Sequence, residues 1–390
     1  MSRFTIPRNI FYGNESMKEL ANLKGFTRAF IVTGGVIPKL GLLDKLVDIL
    51  QGAGMETYSF TGVEADPSIE TVMQGKEEML QFQPDLIVAI GGGSAIDAAK
   101  AMWVFYEHPD LTFEQVKEEG SVPKMRTKAR LAAIPSTSGT GSEVTSFAVI
   151  SDHKAKIKYP IADYEITPDI AVLDSDVTAT MPPKLVAYTG MDALCHAIEA
   201  YVALNRSSFT NPLAIHAIVM IFGYLKDSYD GNMEAREEMH IASVLAGMAF
   251  TNADLGITHS LAHKIGGALG VPHGLCNAIL MPYVIKYNAR DRAAMRHYAN
   301  ISRRAGLDGL REMNLVNSLV EGVKDLNRYM QVPSSFSEAG ISEFKFEMNK
   351  NYIAEQAMLD ACTLSNPRQT SESDLLHILE CAYYGKPVTR

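Results

Sequence analysis

Two pairs of potential metal ligands recur at helical spacing in the middle of the chain. Asp192 and His196 lie four residues apart in GMDALCHAIEAY, and His259 and His263 lie four apart in THSLAHKIGG. Residues four apart project from one face of a helix, so both members of a pair can reach the same ion. His273 follows in VPHGLCNAIL, where a proline and a glycine indicate a loop or a helix start. One carboxylate and four imidazoles therefore form a candidate metal centre.

The donor types of this set indicate what the metal would do. Nitrogen and oxygen ligands without thiolate favour Fe(II), Zn, Mn or Co in Lewis-acid work over a structural zinc site. A core histidine bonded to a carbonyl explains one pair as well as metal binding does, but it does not explain all five residues together. Cys195 and Cys276 lie beside the candidate ligands, and helical phase predicts that they point elsewhere and fill the core.

The pattern around these residues predicts two domains. Residues 1–180 alternate β-branched runs with amphipathic segments, which is typical of a parallel sheet covered by helices on both faces. Residues 181–390 carry helical periodicity throughout, so we expect an α/β domain followed by an all-helical domain, with the site in a cleft between them. The predicted strands are 29–35 (AFIVTGG), 56–62, 85–93, 129–141 and 169–174.

Two polar loops follow predicted strands in the first domain. AIGGGSAIDAAK (89–100) has three glycines before a helix start, which lets backbone N–H groups approach a pyrophosphate. It is not the GxGxxG fingerprint, and a plain tight turn is the alternative. PSTSGTGSEVT (135–145) has five hydroxyl side chains before Glu143, and a solvated loop is the alternative there. We expect both loops to hold a ligand.

An earlier strand end, IVTGGV (31–36), bears on cofactor choice. Doubly wound folds often place an acid here that accepts from the adenosine ribose and repels a 2′-phosphate. This chain has Gly34 and Gly35 instead. We therefore expect NADP(H) to be preferred and NAD(H) to be accepted, and we expect an aspartate at position 34 to shift the preference toward NADH.

Composition excludes several other classes. At 390 residues, 47% hydrophobic and 21% charged, with a net charge of −9, the chain is typical of a globular protein without a nucleic-acid footprint. The amino terminus lacks the apolar run of a signal peptide, and no stretch of eighteen apolar residues occurs. Four cysteines without CxxC spacing fit a reducing compartment. These features predict a cytoplasmic protein without a membrane partner.

The long motifs together resemble the iron-containing (group III) alcohol dehydrogenases. The motifs are GGGSAIDAAK, STSGTGSEVT, GMDALCHAIEAY, HSLAHKIGGALGVPHG and SNPRQ, and the resemblance covers essentially the whole chain. AMWVFYEHPD and IKYPIADYEITPD resemble the clostridial-type butanol or ethanol dehydrogenases and the alcohol dehydrogenase half of bifunctional aldehyde/alcohol dehydrogenases.

The resemblance implies roles for particular residues. Its iron ligands correspond to Asp192, His196, His259 and His273, and His263 corresponds to an additional histidine beside the nicotinamide that does not bind the metal. The implied cofactor contacts are Gly91, Gly92, Gly93, Ser94, Asp97, Thr137, Ser138, Thr140 and Lys158. We expect Gly34 and Gly35 at the strand end, and also Asp66, to lie near the adenosine. Many members have aspartate at the position of Gly34 and Asn-Pro at the position of Asp66-Pro67.

The resemblance also implies an activity. It predicts metal-dependent hydride transfer between NAD(P)H and short-chain aldehydes or alcohols of the ethanol and butanol class, with Fe(II) resident and Zn as a substitute. Phe147, Phe250 and Leu255 are candidates for an apolar substrate pocket. No acidic general base is obvious, so we expect the proton to leave through water, the ribose and His263.

Two other functions remain as alternatives. A dehydroquinate synthase-like lyase would need a more basic pocket, and a non-catalytic assembly module would have no use for metal ligands. We expect at least a homodimer, with the edge of the AFIVTGG strand as a candidate interface.

Overall fold

The computed structural model describes residues 3–153 and 157–389, and the chain divides into two compact units, Met1–Met181 and Pro182–Arg390. Unit 1 is an α/β unit around a parallel sheet, as the fold class predicts. Its strands are β1 (Asn9–Tyr12), β2 (Arg28–Gly34), β3 (Glu56–Val63), β4 (Leu86–Gly91), β5 (Arg130–Pro135), β6 (Phe147–Asp152), β7 (Ile157–Ala162) and β8 (Ile170–Leu173).

The main sheet has six parallel strands in the order β1-β8-β5-β4-β2-β3. Its central strands are buried on both faces, which explains why β4 reads as a continuous apolar run. Two apolar clusters cover the two faces, one around Phe30 and Trp103 and the other around Met17 and Leu46. The helices are α1 (Leu42–Gly52), α2 (Ile69–Phe82), α3 (Gly93–Glu107), α4 (Phe113–Val116) and α5 (Ser175–Thr178), with short 3-10 helices at Ser16–Asn22, Pro38–Leu40, Ser142–Val144 and Tyr164–Ile166.

The structure corrects one expectation about unit 1 and adds one element to it. The AFIVTGG strand is not a sheet edge, because β2 pairs with β3 on one side and β4 on the other. The edge strands of this sheet are β1 and β3. The sequence pattern also missed the antiparallel hairpin of β6 and β7, in which Pro160 weakens the usual strand signal.

Unit 2 is helical throughout its described residues. Its helices are α6 (Pro183–Val202), α7 (Thr210–Tyr229), α8 (Met233–Ala253), α9 (Ile257–Leu269), α10 (His273–Asn288), α11 (Arg292–Arg304), α12 (Glu312–Tyr329), α13 (Glu343–Met358), α14 (Ala361–Leu364) and α15 (Glu372–Tyr384). Helix α6 packs against α7, α8 and α10. It is buried on almost every side over its second half, and its small residues permit this close packing.

Among the described residues, no single helix has the length and apolarity needed to cross a membrane; α8 and α9 pass that test only as a pair, bent by 102°.

Candidate metal and cofactor sites

Four of the predicted ligand residues converge in unit 2. The ligand atoms of Asp192, His196, His259 and His273 all lie within 4.8 Å of one another. The Oδ1 atom of Asp192 is 4.0 Å from Nε2 of His196, 3.8 Å from Nε2 of His259 and 3.5 Å from Nε2 of His273. One carboxylate oxygen and three imidazole nitrogens around a common point are a donor set that fits a divalent transition metal.

Three helices supply these side chains. Asp192 and His196 lie one turn apart on α6, His259 lies in the first turn of α9, and His273 is the first residue of α10. Gly274 allows α10 to come close to α6, because a Cβ atom there would be 2.3 Å from the carbonyl oxygen of Tyr188. A larger residue at 274 would push His273 away from the other ligands.

Burial and neighbouring groups favour the metal-binding forms of His259 and Asp192. Asp192, His196 and His259 are 4%, 5% and 1% exposed. Burial lowers the pKa of His259 well below its usual range, and neighbouring imidazoles lower it further. Burial alone would raise the pKa of Asp192, but His196, His273, His259 and Asn277 together lower it. A neutral imidazole and an ionised carboxylate are the states that bind a cation.

Glu199 orients His259 and was not predicted. Its carboxylate accepts a 2.6 Å hydrogen bond from His259 Nδ1 and bonds from the backbone N–H groups of Gly256 and Thr258. A carboxylate on the second nitrogen fixes the tautomer that leaves Nε2 free for a metal. Glu199 lies seven residues after Asp192 on the same helix face, so continuing the helical spacing by one turn would have found it.

Asn277 is a second residue that the sequence pattern missed. It lies one turn after His273 on α10, and its Nδ2 atom is 2.6 Å from Oδ1 of Asp192. The same nitrogen is 3.1 Å from Nε2 of both His259 and His273. Asn277 therefore bridges ligand atoms from three helices.

His263 is not one of the four converging residues; it lies beside them and contacts His273 and Asp360. Its ring stacks on His273 with centroids 5.4 Å apart, and its Nδ1 atom is 3.1 Å from Oδ2 of Asp360. The side chain is 38% exposed. His263 therefore lies beside the cluster and is partly open to solvent.

The remaining predicted neighbours of the cluster are buried. Phe250 stacks on His196 with centroids 4.4 Å apart, and Leu255 is 8% exposed. Cys195 lies nearer to the cluster than helical phase indicates, with Sγ 3.8 Å from Nδ1 of His259, whereas Cys276 contacts the carbonyl of Val271. Burial raises the pKa of both thiols.

The two polar loops of unit 1 lie side by side at the carboxyl ends of β4 and β5. The carbonyl of Gly91 accepts a hydrogen bond from the N–H of Ser136, and Thr140 lies against Gly93. Helix α3 begins at Gly93 after Gly92, which gives it no side-chain cap. An uncapped helix start next to hydroxyl side chains is a ready site for a phosphate.

Asp97 holds the second polar loop and β6 against α3 through two hydrogen bonds. Its Oδ1 accepts from the hydroxyl of Ser142 at 2.6 Å, and its Oδ2 accepts from the N–H of Val149 at 3.0 Å. Both oxygens thereby connect α3 to the second polar loop and to β6. Ser138, another predicted contact, is buried in this second loop.

Asp66 joins the first polar loop to the hairpin. It has a left-handed backbone, its Oδ1 accepts a 2.6 Å hydrogen bond from the hydroxyl of Ser151, and its N–H is 3.4 Å from Oγ of Ser94. Lys158 pairs with Ser151 across the hairpin, and its side chain lies outside the described residues.

Gly34 has a steric reason to be glycine. A Cβ atom at this position would lie 1.8 Å from the carbonyl oxygen of Val63, where β2 and β3 shift register. An aspartate at position 34 therefore requires β3 to move, and our expectation of a simple change in cofactor preference there is corrected. Gly35 has a positive φ of 61° and open space around its Cβ direction.

Sequence models of one enzyme family match nearly the whole chain. The model "Iron-containing alcohol dehydrogenase" matches residues 7–175, and the model "Fe-containing alcohol dehydrogenase family, C-terminal" matches residues 186–383. The chain belongs to the iron-containing alcohol dehydrogenase family. It is therefore an oxidoreductase of the alcohol dehydrogenase class, and the lyase and the assembly module are not favoured.

Individual relatives agree with this assignment. The dehydrogenase is 54% identical to an NADPH-dependent butanol dehydrogenase of Clostridium saccharobutylicum, over all of both chains. It is 40% identical to a bifunctional aldehyde-alcohol dehydrogenase of Escherichia coli, of which it spans 46%. An iron-containing alcohol dehydrogenase from Thermococcus thioreducens has a TM-score of 0.91 at 36% identity, covering 98% of this chain and 100% of the other.

Proposed function

We propose that this dehydrogenase reduces short-chain aldehydes to primary alcohols with NADPH and a divalent iron, for which zinc can substitute. The observation that carries the proposal is the convergence of Asp192, His196, His259 and His273 on one point. These four residues would hold the ion. A divalent ion supplies Lewis acidity toward an aldehyde or alcohol oxygen.

His263 supplies the proton in this proposal. In reduction, bound NADPH would supply a hydride to the carbonyl carbon. His263, protonated on both ring nitrogens, would give its Nε2 proton to the oxygen, keep the hydrogen on Nδ1, and regain a proton from water. Oxidation of the alcohol reverses both transfers. The 38% exposure of the side chain and its stacking on His273 support this role.

The substrate is proposed to be small and unfunctionalised. Phe250 and Leu255 provide apolar surface near the ligand helices, and the related Clostridium enzyme is named a butanol dehydrogenase. We further propose that the enzyme is cytoplasmic, since its four cysteines are free, as is usual in a reducing compartment. We also propose that it works as a homodimer or a larger homo-oligomer.

The cofactor is proposed to occupy the two polar loops of unit 1, with the adenosine end near Gly34, Gly35 and Asp66. The absence of an acid at the end of β2 leaves room for a 2′-phosphate. The Clostridium relative is named as NADPH-dependent, and a related sulfoacetaldehyde reductase of Bifidobacterium kashiwanohense was solved with NAD⁺.

Anaerobic reconstitution with Fe(II) tests the activity. We expect kcat/KM with butyraldehyde and acetaldehyde to exceed that with succinic semialdehyde or a phosphorylated aldehyde, and NADPH to be used better than NADH. His259→Ala and His273→Ala should lose bound metal together with activity, whereas His263→Ala should keep the metal and lose rate. Stoichiometric metal in either of the first two variants would disprove the ligand assignment.

Gly35→Asp tests the origin of the cofactor preference. Aspartate tolerates the left-handed backbone at this position, and its Cβ has open space. We expect kcat/KM to shift toward NADH by about 1–3 kcal/mol, the size of a charged hydrogen bond gained or lost. Gly34→Asp is the contrasting variant, and we expect it to unfold more easily and to lose affinity for both cofactors. An unchanged NADPH/NADH ratio in Gly35→Asp would refute the proposal.

A further inference from the structure

Asp360 makes an ordered set of contacts beside the metal cluster. Its Oδ2 is 3.1 Å from Nδ1 of His263 and 2.9 Å from Nζ of Lys264. Its Oδ1 accepts a 3.1 Å hydrogen bond from the N–H of Cys362, which caps α14. The side chain of Asp360 is only 9% exposed. Both carboxylate oxygens are thus held by fixed donors.

A second cation site does not explain this cluster. Donor atoms of His263, Asp360 and Cys362 lie within 4.8 Å of one another, as a metal would require. However, the ammonium of Lys264 already contacts the carboxylate, and burial raises the pKa of the Cys362 thiol well above its usual range. The positive charge of Lys264 beside this carboxylate opposes a second cation.

The contact with His263 instead determines which nitrogen carries hydrogen. An ionised carboxylate accepts hydrogen bonds but donates none, so Nδ1 of His263 must be the donor. Burial alone would raise the pKa of Asp360, but the bonds with His263 and Lys264 lower it, so the carboxylate is ionised. In the neutral ring, the other nitrogen, Nε2, is then the acceptor.

The plane of the ring is limited from a second direction. His263 stacks on His273 with an interplanar angle of 13°, and it meets His259 edge-on at 6.0 Å. The hydrogen bond to Asp360 and the stack on His273 together restrict rotation of the imidazole. We propose that Asp360 is a positioning residue that fixes the tautomer and ring plane of His263, so that Nε2 is available to the reacting oxygen. This proposal rests on the proton-transfer role of His263 proposed above.

Asp360→Asn tests the proposal with little disturbance of the fold. Asparagine has nearly the same shape and is also a good helix cap, so α14 should be retained. Its amide can turn a donor toward Nδ1, which allows the opposite tautomer. In the zinc-loaded enzyme we expect metal content to be unchanged and kcat for butyraldehyde to fall about 10- to 100-fold, the usual effect of losing an orienting partner. KM should change less than about threefold.

Side-chain ¹⁵N NMR of histidine-labelled, zinc-loaded enzyme gives a readout that is independent of activity. The His263 signals are assigned by their loss in His263→Gln. We expect wild type to carry hydrogen on Nδ1 and Asp360→Asn to populate the Nε2–H tautomer. An unchanged tautomer in the variant would overturn the proposal.

Lys264→Met is the matched control, because it removes the other contact of the same carboxylate oxygen. We expect its tautomer and kcat to stay close to wild type, and an equal fall in kcat would refute a specific role for Asp360. Full activity in His263→Gln would instead refute the proton-transfer role. If kcat fell in His263→Gln but stayed at the wild-type value in Asp360→Asn, only the positioning role of Asp360 would be refuted.

Discussion

The amide of Asn277 contacts the same lone pairs that a cation would use. Its Nδ2 atom lies 2.6 Å from Oδ1 of Asp192 and 3.1 Å from Nε2 of two histidines. Its Oδ1 atom has no hydrogen-bond partner among the described residues. Amide hydrogens and a divalent ion therefore compete for these acceptors. A change at Asn277 therefore acts directly on three of the residues that would hold the ion.

Asn277→Asp should make folding of unit 2 depend on metal. Without metal, the variant loses a hydrogen bond to a charged group and places two carboxylates together, so we expect a loss of at least about 1.5–3 kcal/mol. A divalent ion should reverse this loss, because a carboxylate oxygen binds it well. Thermal unfolding with and without Zn²⁺ measures both effects.

Asn327→Asp is the control for this experiment. Asn327 is also buried, and its Nδ2 donates to the carbonyl of Ala278. We expect this variant to be destabilised in the same way, but zinc should rescue it no more than it stabilises wild type. Equal rescue of both variants would show that Asn277 has no special relation to the metal.

At the scale of elements, a buried lysine connects α3 to the second polar loop of unit 1 and to β6. Nζ of Lys100 on α3 donates to the hydroxyl of Ser142 and to the carbonyls of Thr145 and Phe147. Burial lowers the pKa of Lys100 to about 8. Glu143 lies in the same loop, is 1% exposed, and has no hydrogen bond to either carboxylate oxygen in the described residues.

Glu143→Gln should stabilise the enzyme at high pH. Burial raises the pKa of Glu143 from 4.5 to about 7, so the folded chain holds this proton more tightly than the unfolded chain. Glu143 therefore has no effect on the free energy of unfolding below pH 4.5, where it is protonated in both states. Its ionisation lowers the free energy of unfolding of the wild type as the pH rises from 4.5 to 7. Above pH 7 we expect the variant to be more stable than wild type by about 3 kcal/mol, with the difference disappearing near pH 4.5. Guanidinium unfolding of both proteins at several pH values measures this difference in the free energy of unfolding.

Glu107→Gln should have the opposite effect on stability: we expect this variant to be less stable than wild type at high pH. Glu107 accepts bonds from Thr127, Lys128 and Ala129, which outweigh burial and lower its pKa. Its ionised form stabilises the fold above its ordinary pKa, and this stabilisation is lost as the pH falls. If both variants responded to pH in the same direction, our account of the two carboxylates would be wrong.

The elements that the sequence could predict are those with strong local patterns. The apolar runs of β2, β4 and β5 identify strands without any knowledge of their neighbours. Their order in the sheet depends on contacts between distant segments, which is why β2 was wrongly expected at an edge. The four-residue β1 and the proline-containing β7 have too little local signal.

The same limit applies to the site. Helical spacing finds Asp192 with His196 and would extend to Glu199, because all three lie on one helix. No spacing rule connects His263 with Asp360, which lies 97 residues further along the chain. Only the packing of α13 and α14 against α9 creates that contact.

At the scale of the whole molecule, the candidate metal site and the candidate cofactor loops lie in different units. The four converging ligand residues lie in Pro182–Arg390, and the polar loops lie in Met1–Met181. A ligand that binds only the folded form of a unit stabilises that unit by mass action. Metal and cofactor should therefore protect different segments of the backbone.

Hydrogen exchange followed by mass spectrometry tests this separation. We expect removal of metal by a chelator to increase exchange in α6, α9 and the start of α10, with little change in β2, β4 and β5. NADPH should slow exchange at the start of α3 and in residues 135–145. If chelation increased exchange equally in both units, the ligand assignment to unit 2 alone would be refuted.

Acylation of Lys100 can also measure how often part of unit 1 opens. Its buried amine has 0% exposure, so an acylating reagent reaches it only when α3 and residues 142–147 separate. Acylation removes the charge and most of the donors that hold these segments together, so a labelled molecule cannot return to the closed form. Each labelled chain thus records one opening event. At reagent concentrations where acylation is faster than reclosing, the rate at which label accumulates on this lysine gives the opening frequency of these segments in working enzyme.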